Sequence, residues 1–324
     1  MGDQQQDKVY HADGRPEYRL AWTAVVIGAM AAPVVLLASG MVISLGALVP
    51  YGALLGLLVA SHFIYTLRRP NEVISLVTGS AALMIAAALL AGIIANAGLR
   101  LRYPLVDGPL ARFDLAMGID TPAVVLAIAD RPWLADLLGR AYVSVFPLAF
   151  ATAIWLSVRR EKRLLWELTL GFAGGIVGAA IVSVFFPALG NIAHAGLQDL
   201  AGTRLPQGSG VYFLEAVHRY RDGSDPLLDV RKLEGVVCFP SFHAVMAVAV
   251  AYALRTTRWL AWPMGCWCAL VVVSTVPNGG HYVGDLLGGA MLWIATLALA
   301  RCSRAMPAIR YGRSLPIATT LRAT

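Results

Sequence analysis

Apolar residues in this chain neither alternate with polar ones nor keep to one helical face. They run on for long stretches that clusters of arginine, lysine and proline cut apart. A helix needs about 20 apolar residues to cross the hydrocarbon of a bilayer, so each run reads as a span. The stretch Leu20–Leu67 holds two, folded into a hairpin about an uncharged turn near Leu45–Tyr51. Arg68, Arg69, Pro70, Asn71 and Glu72 close the hairpin, and a third span follows from Val73 to Leu99. The fourth covers about Leu134–Val158, where Arg159, Arg160, Lys162 and Arg163 stop it, and the fifth about Leu164–Leu189. Three more occupy about Val236–Leu254, Trp259–Val276 and His281–Ala300. The pattern predicts an all-α, polytopic membrane helix bundle of about eight transmembrane helices.

Two insertions interrupt the spans. In residues 100–133, Asp107, Asp114, Asp120 and Asp130 are interleaved with apolar residues, a pattern that suits short amphipathic helices on a membrane surface with their carboxylates in water. Residues 190–235 form the second. In the fifth span Gly171, Gly174, Gly175 and Gly178 give the small-xxx-small spacing that lets helices approach closely. The chain thus divides into a polar N-terminus (1–19), a two-helix hairpin (20–72), a core of six helices (73–300) and a basic tail (301–324). The first apolar stretch is far longer than the roughly 7–15 apolar residues of a cleavable signal peptide, so it is expected to stay in the mature protein. The sequence carries no internal repeat, which gives repeat-built transporters no support.

Composition agrees: 58% of the 324 residues are hydrophobic and only 14% are charged, against about a quarter in soluble domains. The net charge of +7 does not point to nucleic acid, because the lysines and arginines stand at the ends of apolar runs. With eight spans, both termini share a side with Arg68 and Arg69, the Arg159–Arg163 cluster, Arg255 and Arg258. By the positive-inside rule that side is cytoplasmic, and both insertions face outward. The cysteines Cys238, Cys266, Cys268 and Cys302 make neither a zinc spacing nor a disulfide framework and read as small apolar fillers.

The candidate chemistry lies between Phe239 and Gly289. His243 and His281 each stand where an apolar run begins, both on the outer side, and Asp285 follows His281 at i+4 on the same helical face. Pro240 fits a first helical turn, Ser241 offers a hydroxyl beside free N–H groups, and Asn278 can cap the last span. An imidazole held by a carboxylate is a competent nucleophile toward phosphorus, and a second imidazole can protonate a leaving alkoxide and later activate water or an alcohol. Two histidines and a carboxylate also begin a metal triad, but no carboxylate cluster completes it, and neither metal nor other cofactor is expected. His11, His62, His194 and His218 lack such partners and read as structural. Trp133, Trp155, Trp259 and Trp262 read as interfacial anchors or core.

Phe239-Pro240-Ser241-Phe242-His243, followed by Ser274-Thr275, His281 and Asp285, resembles the second and third signatures of the type 2 phosphatidic-acid phosphatase superfamily. The resemblance implies a six-helix core and metal-independent phosphoryl transfer through a phosphohistidine. It implies His281 as nucleophile, Asp285 as its orienting partner, His243 as general acid and base, and Ser241 as a phosphate ligand. The wording of both signatures, with Asp114, Gly118, Asp120 and Ala141-Tyr142 upstream, is similar to the branch containing inositol phosphorylceramide synthase and its bacterial members, which implies a bacterial inner membrane. Phe242 replaces the usual glycine and Thr275 the usual arginine, and the first signature is missing. Arg219, Arg221, Arg231 and Lys232 in the second insertion are the candidate replacements for its cations, Arg221 foremost because Arg221-Asp222-Gly223 resembles the branch.

The expectation is an integral-membrane lipid phosphatase or phosphotransferase that acts on a membrane lipid. Fewer fixed arginines favour a diester monoanion as donor over a monoester dianion. A headgroup transferase, a lipid transporter and a non-catalytic membrane protein are the competing readings.

Overall fold

In the computed structural model, which describes residues 16–223 and 225–305, long helices run up and down beside one another and the two insertions close over one end. The hairpin is α1 (Pro16–Ser39) and α2 (Leu45–Phe63), the latter extended by a π turn, Ile64–Arg68. It leads into α3 (Glu72–Gly98). The first insertion folds as two short helices, α4 (Asp107–Ala116) and α5 (Thr121–Ala129). Then come α6 (Pro132–Val158) and α7 (Lys162–Phe185), and the second insertion carries α8 (Asn191–His194) and α9 (Leu214–Arg221). The last described helices are α10 (Phe242–Leu254), α11 (Arg258–Gly279) and α12 (Val283–Ala305). Residues 1–15, most of the polar N-terminus, and 306–324, most of the basic tail with Arg310, Arg313 and Arg322, lie outside the described residues, as does His11.

Seven of these helices are long and apolar enough to cross a membrane, and α10 is a shorter apolar helix of 13 residues. At 1.5 Å per residue α10 is about 20 Å long, short of a full crossing. The span expected from Val236 loses its first turns because residues 236–241 are not helical. Pro240 follows a cis peptide bond and lies ahead of the N-cap Ser241 rather than in the first turn.

Three other boundaries move for local reasons. The hairpin turns at residues 40–44, not near Leu45–Tyr51: Gly40 takes a left-handed φ of 66°, and β1 (Val42–Ile43) pairs in parallel with β2 (Leu227–Leu228) of the second insertion. The fifth span ends at Phe185, because Pro187 disfavours helix at the residue before it. Asn278 belongs to the last turn of α11, where its Nδ2 donates to Ser274 O (3.2 Å), so it does not cap α12.

The most enclosed of the seven long helices is α7, with α1, α3, α10 and α12 packed around it. Its glycines make this possible: a Cβ on Gly175 would lie 2.6 Å from Val245 Cγ1 of α10, and Gly171, Gly174 and Gly178 sit against Trp293, Thr296 and Leu292 of α12. At one end of the bundle the basic links meet carboxylates. Glu72 pairs with Lys162 and Arg160, and Arg304 joins Glu17 (2.9 Å) to Glu167 (2.7 Å). The starts of α1, α3 and α7 therefore meet the end of α12. The histidines are at the other end.

Candidate active site

Ser241 caps α10 by accepting from Ala244 N (3.4 Å), which places His243 in the first turn with its ring over the bundle. That ring stacks on Tyr142 of α6 (centroids 4.2 Å apart, planes at 11°) and meets Phe146 edge-on at 5.5 Å. Contrary to the expectation from sequence, His281 neither starts the last span nor shares a helical face with Asp285: it stands two residues before α12 in a turn made by Gly280, whose φ is 67°. The imidazole centroids of His243 and His281 lie 6.3 Å apart. The structure thus brings the two histidines together.

His281 is bound at both nitrogens. Nδ1 lies 3.2 Å from Asp285 Oδ2, and Nε2 lies 3.3 Å from Ser241 Oγ. With the proton on Nδ1, that nitrogen donates to the carboxylate and the Nε2 lone pair faces the Ser241 hydroxyl. Asp285 Oδ2 also accepts from Tyr282 N (2.9 Å) and from the Cys238 thiol (3.1 Å), whereas Oδ1 is buried with no partner. Asp285 is fully buried and its helix is docked tightly: Ser241 N donates to Asp285 O (3.0 Å), and a Cβ on Gly289 would fall 2.2 Å from Ser241 O. Cys238 is therefore a contact of the His–Asp pair, not an inert filler.

Residues outside the expected site hold this arrangement, and two of them carry a correction. Asp107 and Asp114 are 2% and 1% exposed, not a solvated helix face. Asp107 accepts from Leu189 N (2.9 Å), Gly190 N (2.8 Å) and Tyr282 Oη (3.2 Å). Asp114 accepts from Val283 N (2.9 Å), Gly284 N (3.1 Å) and Thr121 Oγ1 (2.6 Å), which satisfies the first amides of α12 and puts negative charge at its positive end. Asp120 caps α5 through Ala123 N. Asn191 donates from Nδ2 to His281 O (2.6 Å) and Val276 O (3.1 Å), pinning the turn that carries His281. The interleaving of Asp107 and Asp114 with apolar residues was the visible signal. Burial changes its meaning: a carboxylate removed from water must find donors, and here it finds helix amides.

The two histidines line a cavity of about 480 Å³ whose other walls come from α3 (Ala88, Ala91, Gly92, Ala95), α6, α7 and the second insertion with the residues that follow it (Tyr212 and residues 233–237). Those walls are mostly apolar, and among the described lining residues there is no lysine or arginine. Glu234 also lines it, and burial and then the nearby Glu215 push its carboxyl pKa up, opposed by Arg219. The four cations named from the sequence lie elsewhere in the insertion. Arg219 pairs with Glu215, and Arg221 donates to Tyr103 O (2.8 Å). Arg231 forms a two-bond pair with Asp229 that lowers the carboxyl pKa to about 2, and Lys232 is exposed. None of the four lines the cavity.

Long apolar helices around a buried His–Asp pair, with a second imidazole across a greasy cavity, define a polytopic membrane protein with a polar site at one end of its bundle. The sequence profile of the PAP2 superfamily, the type 2 phosphatidic-acid phosphatases, matches residues 108–299, more than half of the chain, and the protein belongs to that superfamily. At that level it is a membrane phosphatase-type enzyme, a phosphoester hydrolase or transferase. The match takes in α4 through most of α12 and leaves out α1, α2 and α3. Searches of the curated proteins and of the solved structures match nothing.

Proposed function

We propose that this protein transfers a phosphoryl group from a lipid phosphate or a phospholipid headgroup by way of a phosphohistidine on His281. The observation that carries the reading is the double engagement of His281: Asp285 holds Nδ1, and Nε2 is turned toward Ser241 and the cavity that His243 also lines. In this reading Nε2 attacks phosphorus as the bond to the lipid oxygen breaks. His243, as imidazolium, gives that oxygen a proton, and Asp285 stabilises the cation on His281. Neutral His243 then takes a proton from water or an alcohol, whose oxygen displaces Nε2. The Ser241 hydroxyl and the free amides of α10 meet the phosphate oxygens. Of the four cations named from the sequence, Glu215 and Asp229 neutralise Arg219 and Arg231, which leaves Arg221 and Lys232 to meet an anionic headgroup.

A second observation favours transfer of a headgroup from a diester donor over hydrolysis of a monoester. The described residues lining the cavity supply no guanidinium or ammonium to balance a dianion, and the histidines and amides suffice for a monoanion. Orientation follows from charge. The end of the bundle with Arg160, Lys162, Arg163 and Arg304 is assigned to the cytoplasm with both termini, and the histidine end to the outer face of a bacterial inner membrane.

The test is a panel of lipid phosphates and phospholipids offered to the purified protein with a chelator present, with released phosphate and exchanged lipids resolved by thin-layer chromatography. Turnover of a panel member by wild type, absent in His281→Ala, is the expected result. Wild-type turnover by His281→Ala would refute the assignment.

A further inference from the structure

Asp285, His281 and Cys238 form a buried cluster with more binding capacity than phosphoryl transfer uses. The separations are 3.1 Å from the thiol to Asp285 Oδ2, 3.2 Å from that oxygen to His281 Nδ1, and 3.8 Å from the thiol to Nδ1. Around a tetrahedral zinc with ordinary bond lengths, such donors stand about 3.4–3.6 Å apart, so shifts of a few tenths of an ångström would complete three sides of a site. The Gly280 carbonyl oxygen, 3.8 Å from the thiol, faces the same space, and Asp285 Oδ1 is buried with no partner of its own. A thiolate and a carboxylate would cancel a divalent charge, which a site this buried requires. Sulfur with imidazole nitrogen selects a thiophilic ion over magnesium or calcium.

We infer that Cys238, His281 and Asp285 are an inhibitory site for a thiophilic divalent cation of the zinc class. Binding expels the thiol proton and takes the lone pair of His281 Nδ1, and the imidazole proton moves from Nδ1 to Nε2. A ring with its proton on Nε2 has no lone pair there to attack phosphorus, and Asp285 no longer orients it. The metal thus locks the inactive tautomer. The inhibition rests on the phosphohistidine reading above; the binding does not.

The test uses full-length Cys266→Ser/Cys302→Ser protein, from which the two exposed cysteines are removed. Cadmium titration should give thiolate-to-metal charge-transfer absorption that saturates at one ion per chain, and zinc-edge absorption of the zinc-loaded protein should show one sulfur among nitrogen and oxygen neighbours. Adding Cys238→Ser should remove the cadmium band and raise the zinc concentration for half-inhibition at least tenfold. A chelator should restore turnover of the zinc-treated protein. A cadmium band that survives Cys238→Ser, a zinc edge without sulfur, or turnover that zinc leaves unchanged or stimulates would overturn the inference. The cadmium and edge measurements need no turnover and leave Cys238 in place in the parent protein. A failed phosphotransfer reading is therefore distinguishable from a failed metal site, and a misfolded Cys238 variant does not shelter the proposal.

Discussion

The proposed attack by His281 has to run through Nε2, because Nδ1 is committed to Asp285 and the other edge of the ring faces Ser241 and the cavity. Asp285→Asn tests this. The amide keeps the size but is as ready to donate to Nδ1 as to accept from it, which favours the tautomer protonated at Nε2. Turnover should fall by on the order of 10²–10⁴-fold, as when the carboxylate of a Ser–His–Asp triad is replaced by its amide, with the protein still eluting as a folded species. A loss below tenfold would mean the carboxylate does not set the tautomer. At this scale the sequence was partly legible. The pairing of His281 with Asp285 is local and could be read from their spacing, but the geometry could not: His281 lies in the turn before α12, not on a helical face with Asp285. The contacts of Cys238 with Asp285 and of Tyr142 with His243 join residues 47 and about a hundred positions apart, which no spacing rule reaches.

Elements place these side chains through their ends. The start of α12 is fixed by Asp114 on α4, 169 residues away in sequence from Val283, and the start of α10 by its own Ser241. Truncation by Asp114→Ala would leave two amides of α12 and the Thr121 hydroxyl without their acceptor in a buried setting. It should cost about 2–4 kcal/mol, from a lost helix cap and unsatisfied donors. The expected readout is a lower unfolding midpoint in detergent, with turnover reduced in the protein that remains folded. An unchanged midpoint would show that the first insertion does not brace the site. Helix existence was legible from the long apolar runs. Helix ends were not: a proline two residues past Phe185, a cap at Ser241 and a left-handed Gly40 decide them, and hydropathy does not register such features.

Across the whole molecule, one end gathers the ion pairs of Glu72, Glu17 and Glu167 with their basic partners, and the other gathers both insertions and both histidines. Single cysteines test how that axis crosses the membrane. In a background without Cys266 and Cys302, Thr203→Cys on the second insertion should react with a membrane-impermeant thiol reagent in intact cells, and Arg69→Cys only after the membrane is opened. The reverse pattern would invert the topology and put the histidines in the cytoplasm. Fold class was plain from composition and run length, since bilayer thickness dictates both. What covers the site was not, because the second insertion holds the His281 turn through Asn191 and through backbone bonds from Asn191 N to Gly280 O and from Gly210 N to Asn278 O, which side-chain patterns do not encode.

The measurement closest to the centre of this account is a search for the covalent intermediate. Protein mixed with the radiolabelled phosphate or phospholipid it turns over, then quenched in alkali, should carry phosphate that survives base and is lost in mild acid, as a phosphoramidate bond to imidazole requires. The label should map to His281 and be absent from His281→Ala. Label on another residue, or label that persists in His281→Ala, would contradict the account.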